Sequence, residues 1–335
     1  IEGLKVYDNT CHRPTKTATT TFYGIYNTGA VGGVRIERNR IFKPEGTSNM
    51  TSIAYGIYLL GDAPAGNESV VANNVIYDFN TNGTQYGIYM SSPENHRVAH
   101  NTVSLDATTT TSSSATYGSY VSGSMVGTDV INNVVSITRT STGITYGMYF
   151  STSGAFVNTL NNNNLYIQSN GTNYYGYYNA TQHATRAAFS AATGNVHETQ
   201  SNTYDPVFTN PGIGDFQPQS PGMNNMGLNT GGFVPTDILG LVRGALPDPG
   251  AWEFAGAPNE AAVPQFINPG ANYCPGNDSV FVRLLNNGSN TLNSVDVAWS
   301  VNGVSQGTVS LTGMNLPAGS DSAVFLGTYP LSGTG

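Results

Sequence analysis

Apolar and aromatic residues fall in short runs along the first 180 positions, each four to seven residues long and separated by polar, turn-rich stretches. The runs recur. "FYGIYN" (22–27), "AYGIYL" (54–59), "QYGIYM" (85–90), "TYGSYV" (116–121), "TYGMYF" (145–150) and "YYGYYN" (174–179) write Tyr-Gly-x-Tyr six times. The first tyrosines are Tyr23, Tyr55, Tyr86, Tyr117, Tyr146 and Tyr175, in steps of 32, 31, 31, 29 and 29 residues. A second motif follows each by fifteen to twenty residues, at Asn39, Asn74, Asn101, Asn133, Asn164 and Asn195. An apolar residue often stands three positions earlier (Ile36, Val71, Val98, Val130). The fifth repeat has Asn161 there, with Leu160 beside it. Tyr, Ile and Val favour pleated backbone, and runs such as "TNGT" (81–84), "SPEN" (92–95) and "TSTG" (140–143) punctuate them as turns. No 3.6-residue period is sustained, which excludes helix for most of this region.

A thirty-residue period with two clear strands is too short for a propeller blade, which takes about forty residues and four strands. It fits one coil of a solenoid, with like strands stacked in parallel about 4.8 Å apart. Stacking explains the recurring asparagine. At a coil corner its amide can bond its own backbone and the asparagine of the next coil. Strict alternation puts each first Tyr and the following Ile on one face, with Gly and the second Tyr on the other. Ile is the residue most often buried. Tyr26, Tyr58, Tyr89, Tyr120, Tyr149 and Tyr178 are therefore expected as an outward ladder and are the candidate ligand-binding residues. Asn39, Asn74, Asn101, Asn133, Asn164 and Asn195 are the expected structural ladder.

These residues resemble the coils of right-handed parallel β-helix proteins. The stretch "YDPVFTNPGIGDFQPQSPGMNNMG" (204–227) is similar to the closing segment of many bacterial secreted β-helices. "DILGLVRGALPDPGAWEF" (237–254) resembles their end piece, Asp-x-x-Gly-x-x-Arg and then Gly-Ala-x-Glu-Phe, with Pro249 in place of the usual aliphatic residue. The resemblance covers residues 1–255. After the Pro/Ala-rich linker 256–264, residues 265–335 resemble an immunoglobulin-like β-sandwich module of Bacteroidetes surface proteins. The resembling residues are Asn286–Gly288, Trp299 and the hairpin signal Asn302-Gly303. The resemblance implies a truncated module and export by the type IX route.

The expected fold is therefore all-β: a right-handed parallel β-helix of roughly eight coils over 1–255, a linker, and an incomplete sandwich. The strand edges at Ile1 call for further coils, a cap or another protomer.

Composition narrows function. Only 10% of the 335 residues are charged, and there are three lysines, Lys5, Lys16 and Lys43. The net charge of −8 is dispersed. Nucleic acid needs clustered cations, so it is not an expected partner. No apolar run reaches a membrane-spanning length. An Asn- and Thr-rich, Lys-poor surface suits an extracellular protein. The cysteines, Cys11 and Cys274, fall at opposite ends of this architecture, too far apart to pair.

Enzymatic chemistry finds little support. Glycoside hydrolysis needs two carboxylates roughly 5–9.5 Å apart. Asp78 and Asp106, four and five residues after their repeat asparagines, are the one pair near equivalent positions. His96 and His100 are four apart on a strand, about 13 Å of rise, too far for one ion, and read as surface residues. No cofactor, metal or catalytic residue is expected. The expected function is structural or adhesive, a stiff spacer in adhesion, gliding or filament assembly, with other surface proteins or further modules as partners. The alternatives are polysaccharide binding along the tyrosines, and a polysaccharide lyase or hydrolase.

Overall fold

A computed structural model describes residues 3–29, 32–46, 50–108, 112–152, 158–253, 259–270, 275–286, 288, 290–317 and 320–331. The chain divides into two compact units, 1–254 and 255–335. Residues 256–258 of the expected linker and Cys274 lie outside the described residues, and the strand Ala261–Asn268 takes in the last four linker positions.

The first unit is a parallel β-solenoid with three strands per coil. One coil runs Ala54–Leu59, Ser69–Ala72 and Val75–Tyr77. Stacking gives three sheets. Two have six parallel strands, and the third has six plus an antiparallel seventh, Thr181–His183. Six regular layers are described; the roughly eight coils expected counted the irregular end coils as well. After Tyr178 the regular coil ends: the short helix Arg186–Ala192 sets Phe189 on the end of the core, and residues 198–202 still bond in parallel over the last layer.

Like residues stack as columns. Val6, Ile36, Val71, Val98, Val130 and Leu160 align on the first sheet. Cys11, Ile41, Ile76, Val103, Val135 and Leu165 align on the second. From Ile36 and Ile41 onward both columns are buried. Each fully buried aliphatic side chain contributes about 1.5–3 kcal/mol.

Between these sheets runs a buried asparagine column. The backbone N–H and Nδ2 of Asn39 both donate to Oδ1 of Asn74, at 3.1 and 2.9 Å. Asn74 donates in the same way to Asn101, Asn101 to Asn133, and Asn133 to Asn163. The second Nδ2 hydrogen of each goes to a carbonyl of the preceding coil: Val6, Ile36, Val71, Val98 and Val130. Those acceptors stand three residues before the neighbouring rung, which gives the apolar position noted in the sequence a second task. Asn9 starts the column, and Ser201 and Glu198 end it.

Two rungs differ from expectation. Asn163, not Asn164, is the fifth, and with that one-residue shift Leu160 takes the regular apolar place. Asn164 is displaced into pinning Tyr204, through bonds of 2.8 and 2.9 Å. Asn195 lies in the turn after the helix, at φ 59°. The rung place above Asn163 falls six residues later, at Ser201, whose hydroxyl accepts from the Asn163 main-chain N–H.

The residue before each rung is left-handed: Asp8, Arg38, Asn73, His100, Asn132 and Asn162 have φ of 55–57°. This conformation is tolerated best by Asn and Asp among non-glycine residues, which accounts for the Asn-Asn doublets. The two residues of a doublet face opposite ways, one into the column and one toward residues 204–253. This last segment is a strap across the coils. Asn73 donates to the Thr236 carbonyl, and Asn162 donates to that of Met226. Asn132 pairs with both backbone groups of Leu228, and His100 meets the Asp248 carbonyl. Arg243 bonds Asn73 and pairs with Glu253, while Asp237 caps the Leu239 and Leu241 amides.

The second unit has an antiparallel sheet of Ala261–Asn268, Gly276–Asn286 and Asp321–Leu331, and a two-stranded ribbon, Leu292–Val301 with Val304–Leu316. The ribbon turns at Asn302-Gly303, both at positive φ. Residues of both sheets share one core, including Val282, Leu284, Leu292, Leu316 and Val324. This arrangement is compatible with a β-sandwich.

Replacing Asn101 by Leu leaves the buried donors of Asn74 and the Val71 carbonyl without partners, and is expected to lower stability by about 4 kcal/mol. Asn195→Gly, at a turn, is expected to change it by under about 0.5 kcal/mol. Urea unfolding followed by circular dichroism measures both, and equal effects would contradict the ladder assignment.

Candidate functional site

The third sheet carries the tyrosines, and here strict alternation fails. Ala54, Gly56, Ile57 and Leu59 are all buried, while Tyr55 and Tyr58 are only partly so. Gly56 and Ile57 face inward in succession, so residues three apart reach the same outer face. The cause is glycine. A Cβ on Gly56 would stand 2.5 Å from the Gly87 carbonyl oxygen and 2.7 Å from the Ile76 side chain. Gly87 and Gly118 meet the same obstacle one coil on. Tyr23, Tyr55, Tyr86 and Tyr117, expected inside, therefore lie on the outer face beside the second tyrosines, and Tyr146 lies on the same face but is covered.

Two outward columns result. Tyr23, Tyr55, Tyr86, Tyr117, Tyr146 and Tyr174 form the first, with ring centroids 4.6–5.6 Å apart and planes within 20° of parallel. Tyr58, Tyr89, Tyr120, Tyr149 and Tyr177 form the second, 4.4–4.9 Å apart and within 16°. Tyr26 aligns with Tyr58 in register but meets its ring edge-on at 89° and stacks on Tyr23 instead. Within a coil the columns meet edge to face, at 74–88° and 5.1–5.4 Å. The herringbone follows from two lengths. Strands repeat every ~4.8 Å, but rings touch at ~3.5 Å, so each stack tilts about 45° to close the gap. Columns tilted in opposite senses lie about 90° apart, the edge-to-face geometry that ring quadrupoles favour.

Tyr178 is not a rung. Register aligns Tyr174 with Tyr146 and Tyr177 with Tyr149. Tyr175 takes the usual glycine position, buried, with its hydroxyl on Glu198. Gly176 takes the isoleucine position because Phe189 fills that space; a Cβ there would lie 2.6 Å from its ring. Tyr178 packs against the core end. The doublets of "YYGYYN" allow either frame, as the run Asn161–Asn164 does for the ladder. The apolar residue three places before a rung is the signal that selects Asn163.

Burial pushes the phenols of Tyr55, Tyr58, Tyr117 and Tyr149 up to about 12, and neighbouring phenolates add to the effect. Tyr86 is raised by the same causes.

The paired aspartates do meet. Asp78 and Asp106, with Lys43, Phe42 and Tyr77, line a cleft of about 490 Å³ beside Pro211–Gly214. Burial raises both carboxyls. Lys43, 3.8 Å from Asp78, opposes the rise there, and the charge of Asp78 adds to it at Asp106.

The histidines depart from expectation: both are buried, not on the surface. His96 Nε2 donates to the Gly61 carbonyl at 2.8 Å. His100 is covered by the strap. It donates from Nδ1 to Asp248 and accepts at Nε2 from Asn132, which fixes its neutral form. Burial lowers the pKa of each. Among the described residues no group of three or more His, Cys, Asp or Glu could hold a metal, and no helix is long and apolar enough to cross a membrane.

The chain matches no family model, no curated protein and no solved structure.

Alkaline titration tests the two tyrosine columns, which together form a raft on the third sheet. Folded raft phenols hold their protons more tightly than unfolded ones, which ionise near 10. Their stabilisation is thus complete below pH 10 and is lost as pH rises toward about 12. Phenolate absorbance is expected to rise in two steps, the later one coinciding with unfolding. A single step near pH 10 with the fold intact would contradict the burial described.

Proposed function

We propose that residues 1–254 are a rigid structural module of an extracellular surface protein. Their task is to hold attached modules in place and to present a firm face in adhesion or filament assembly. The observation that carries this reading is the continuity of order across coils. The asparagine column, the tyrosine raft and the strap each cross most of the layers, so no single coil can loosen without breaking bonds to its neighbours. A solenoid so tied gains stability at every interface. At ~4.8 Å per layer the six layers span only about 25–30 Å, so this is a stiff block, and longer reach would come from other modules. Other surface proteins or further parts of the same chain are the proposed partners, and the immunoglobulin-like character and type IX export of the second unit belong to the same proposal.

The tyrosine columns also fit carbohydrate binding in general terms. Their geometry favours the structural role. Sugars stack on ring faces, and in the interior of the raft those faces are occupied by the next ring.

Native-state hydrogen exchange on the intact chain tests rigidity. Strand amides of the four inner layers are expected to exchange through one opening event of common free energy. Layers that open independently would overturn the reading. A lyase or hydrolase predicts new product ends from acidic or neutral polysaccharides, lost in Asp106→Asn. The structural reading predicts no product.

A further inference from the structure

Beyond the structural role, we infer a saccharide-binding cleft at the closed end of the tyrosine sheet. A cavity of about 500 Å³ opens there between the last coil, the start of the cap helix and the beginning of the strap. Its walls include three tyrosines from three segments, Tyr166, Tyr174 and Tyr204, with Gln168, Asn173 and Arg186 between them. The volume is that of an ordinary small-ligand site.

Each ring is held. The main chain of Tyr204 is fixed by both atoms of the Asn164 carboxamide. Its ring lies over Gly222, where a Cβ would come within 3.0 Å of it, so glycine is what lets the ring settle. The Tyr166 hydroxyl is bonded to Asp205, whose charge raises the phenol's pKa further after burial. Tyr174 stacks on Tyr146 on one side. On its other side the column ends: Thr181–His183 pairs only with Gly176–Tyr178 and adds no aromatic rung above it. Rings fixed before the ligand arrives lose little entropy on binding.

The polar groups suit hydroxyls rather than ions. Among the described residues no carboxylate lines the cavity. The Arg186 Nη1 already donates to the Glu198 and Thr199 carbonyls. The Asn173 carboxamide is bonded to Ser169 at both ends. Gln168 is exposed, and its carboxamide makes no hydrogen bond among the described residues. Uncovered aromatic surface, a free amide and a cavity without acid groups together describe a site for a neutral sugar. The interior raft offers none of these, since its rings cover one another.

The test is titration of the intact chain with cellohexaose, maltohexaose and chitohexaose in turn, followed by NMR shifts of the tyrosine rings. At least one is expected to bind. Tyr204→Ala and Gln168→Glu should each weaken it about tenfold, and Tyr89→Ala, in the raft, less than about twofold. Circular dichroism checks that each variant is folded, and Gln168→Glu alters only an exposed side chain. The inference is overturned if none of the three binds at about 10 mM. It is also overturned if Tyr204→Ala and Gln168→Glu leave binding unchanged, or if Tyr89→Ala weakens it as much as they do. None of these outcomes bears on the exchange behaviour of the coils, so this site and the structural role stand or fall separately.

Discussion

A carboxamide side chain can donate twice and accept at least twice, and the buried asparagine column uses all of it. Each Nδ2 group joins the coil before to the coil after, and each Oδ1 accepts a main-chain and a side-chain donor from one neighbour. Buried polar atoms left unpaired are costly, so such a column is stable only when every rung is in place. It fixes which residue of one coil lies over which residue of the next. Once that register is set, the aliphatic columns and the tyrosine columns have no alternative arrangement.

The tyrosine face shows how a spacing set elsewhere decides local geometry. Rings carried on strands repeating at ~4.8 Å cannot lie flat against one another, and the tilt that restores contact creates the herringbone. Glycine makes it possible. By admitting the next coil's carbonyl oxygen where a Cβ would stand, Gly56 and its equivalents let Tyr55 and Tyr58 share one face. A surface built in this way is self-satisfied. Its free aromatic faces lie where the repeat is interrupted, at the closed end.

Much of the architecture could be read from the residues. The period, the parallel stacking and the role of asparagine follow from spacing and side-chain chemistry alone. What escaped was of two kinds. Homopolymeric stretches hide register: four consecutive asparagines at 161–164 and paired tyrosines at 174–178 admit a one-residue slip that only the apolar neighbour or the cap helix resolves. Long-range covering was also hidden. Nothing near His100 in the chain announces Asp248, and nothing in the charged run Glu37–Arg40 announces that Glu37 is buried. The cleft at the closed end shares this second cause, since Tyr166, Tyr174 and Tyr204 carry no common motif.

The most direct measurement is exchange of side-chain carboxamide protons, read by NMR in heavy water at neutral pH. If the column is built as described, the Nδ2 hydrogens of Asn39, Asn74, Asn101 and Asn133 persist as long as the strand amides beside them, while those of exposed asparagines vanish at once. Loss of all carboxamide signals together, with the strand amides still protected, would contradict the claim that these side chains hold the coils in register.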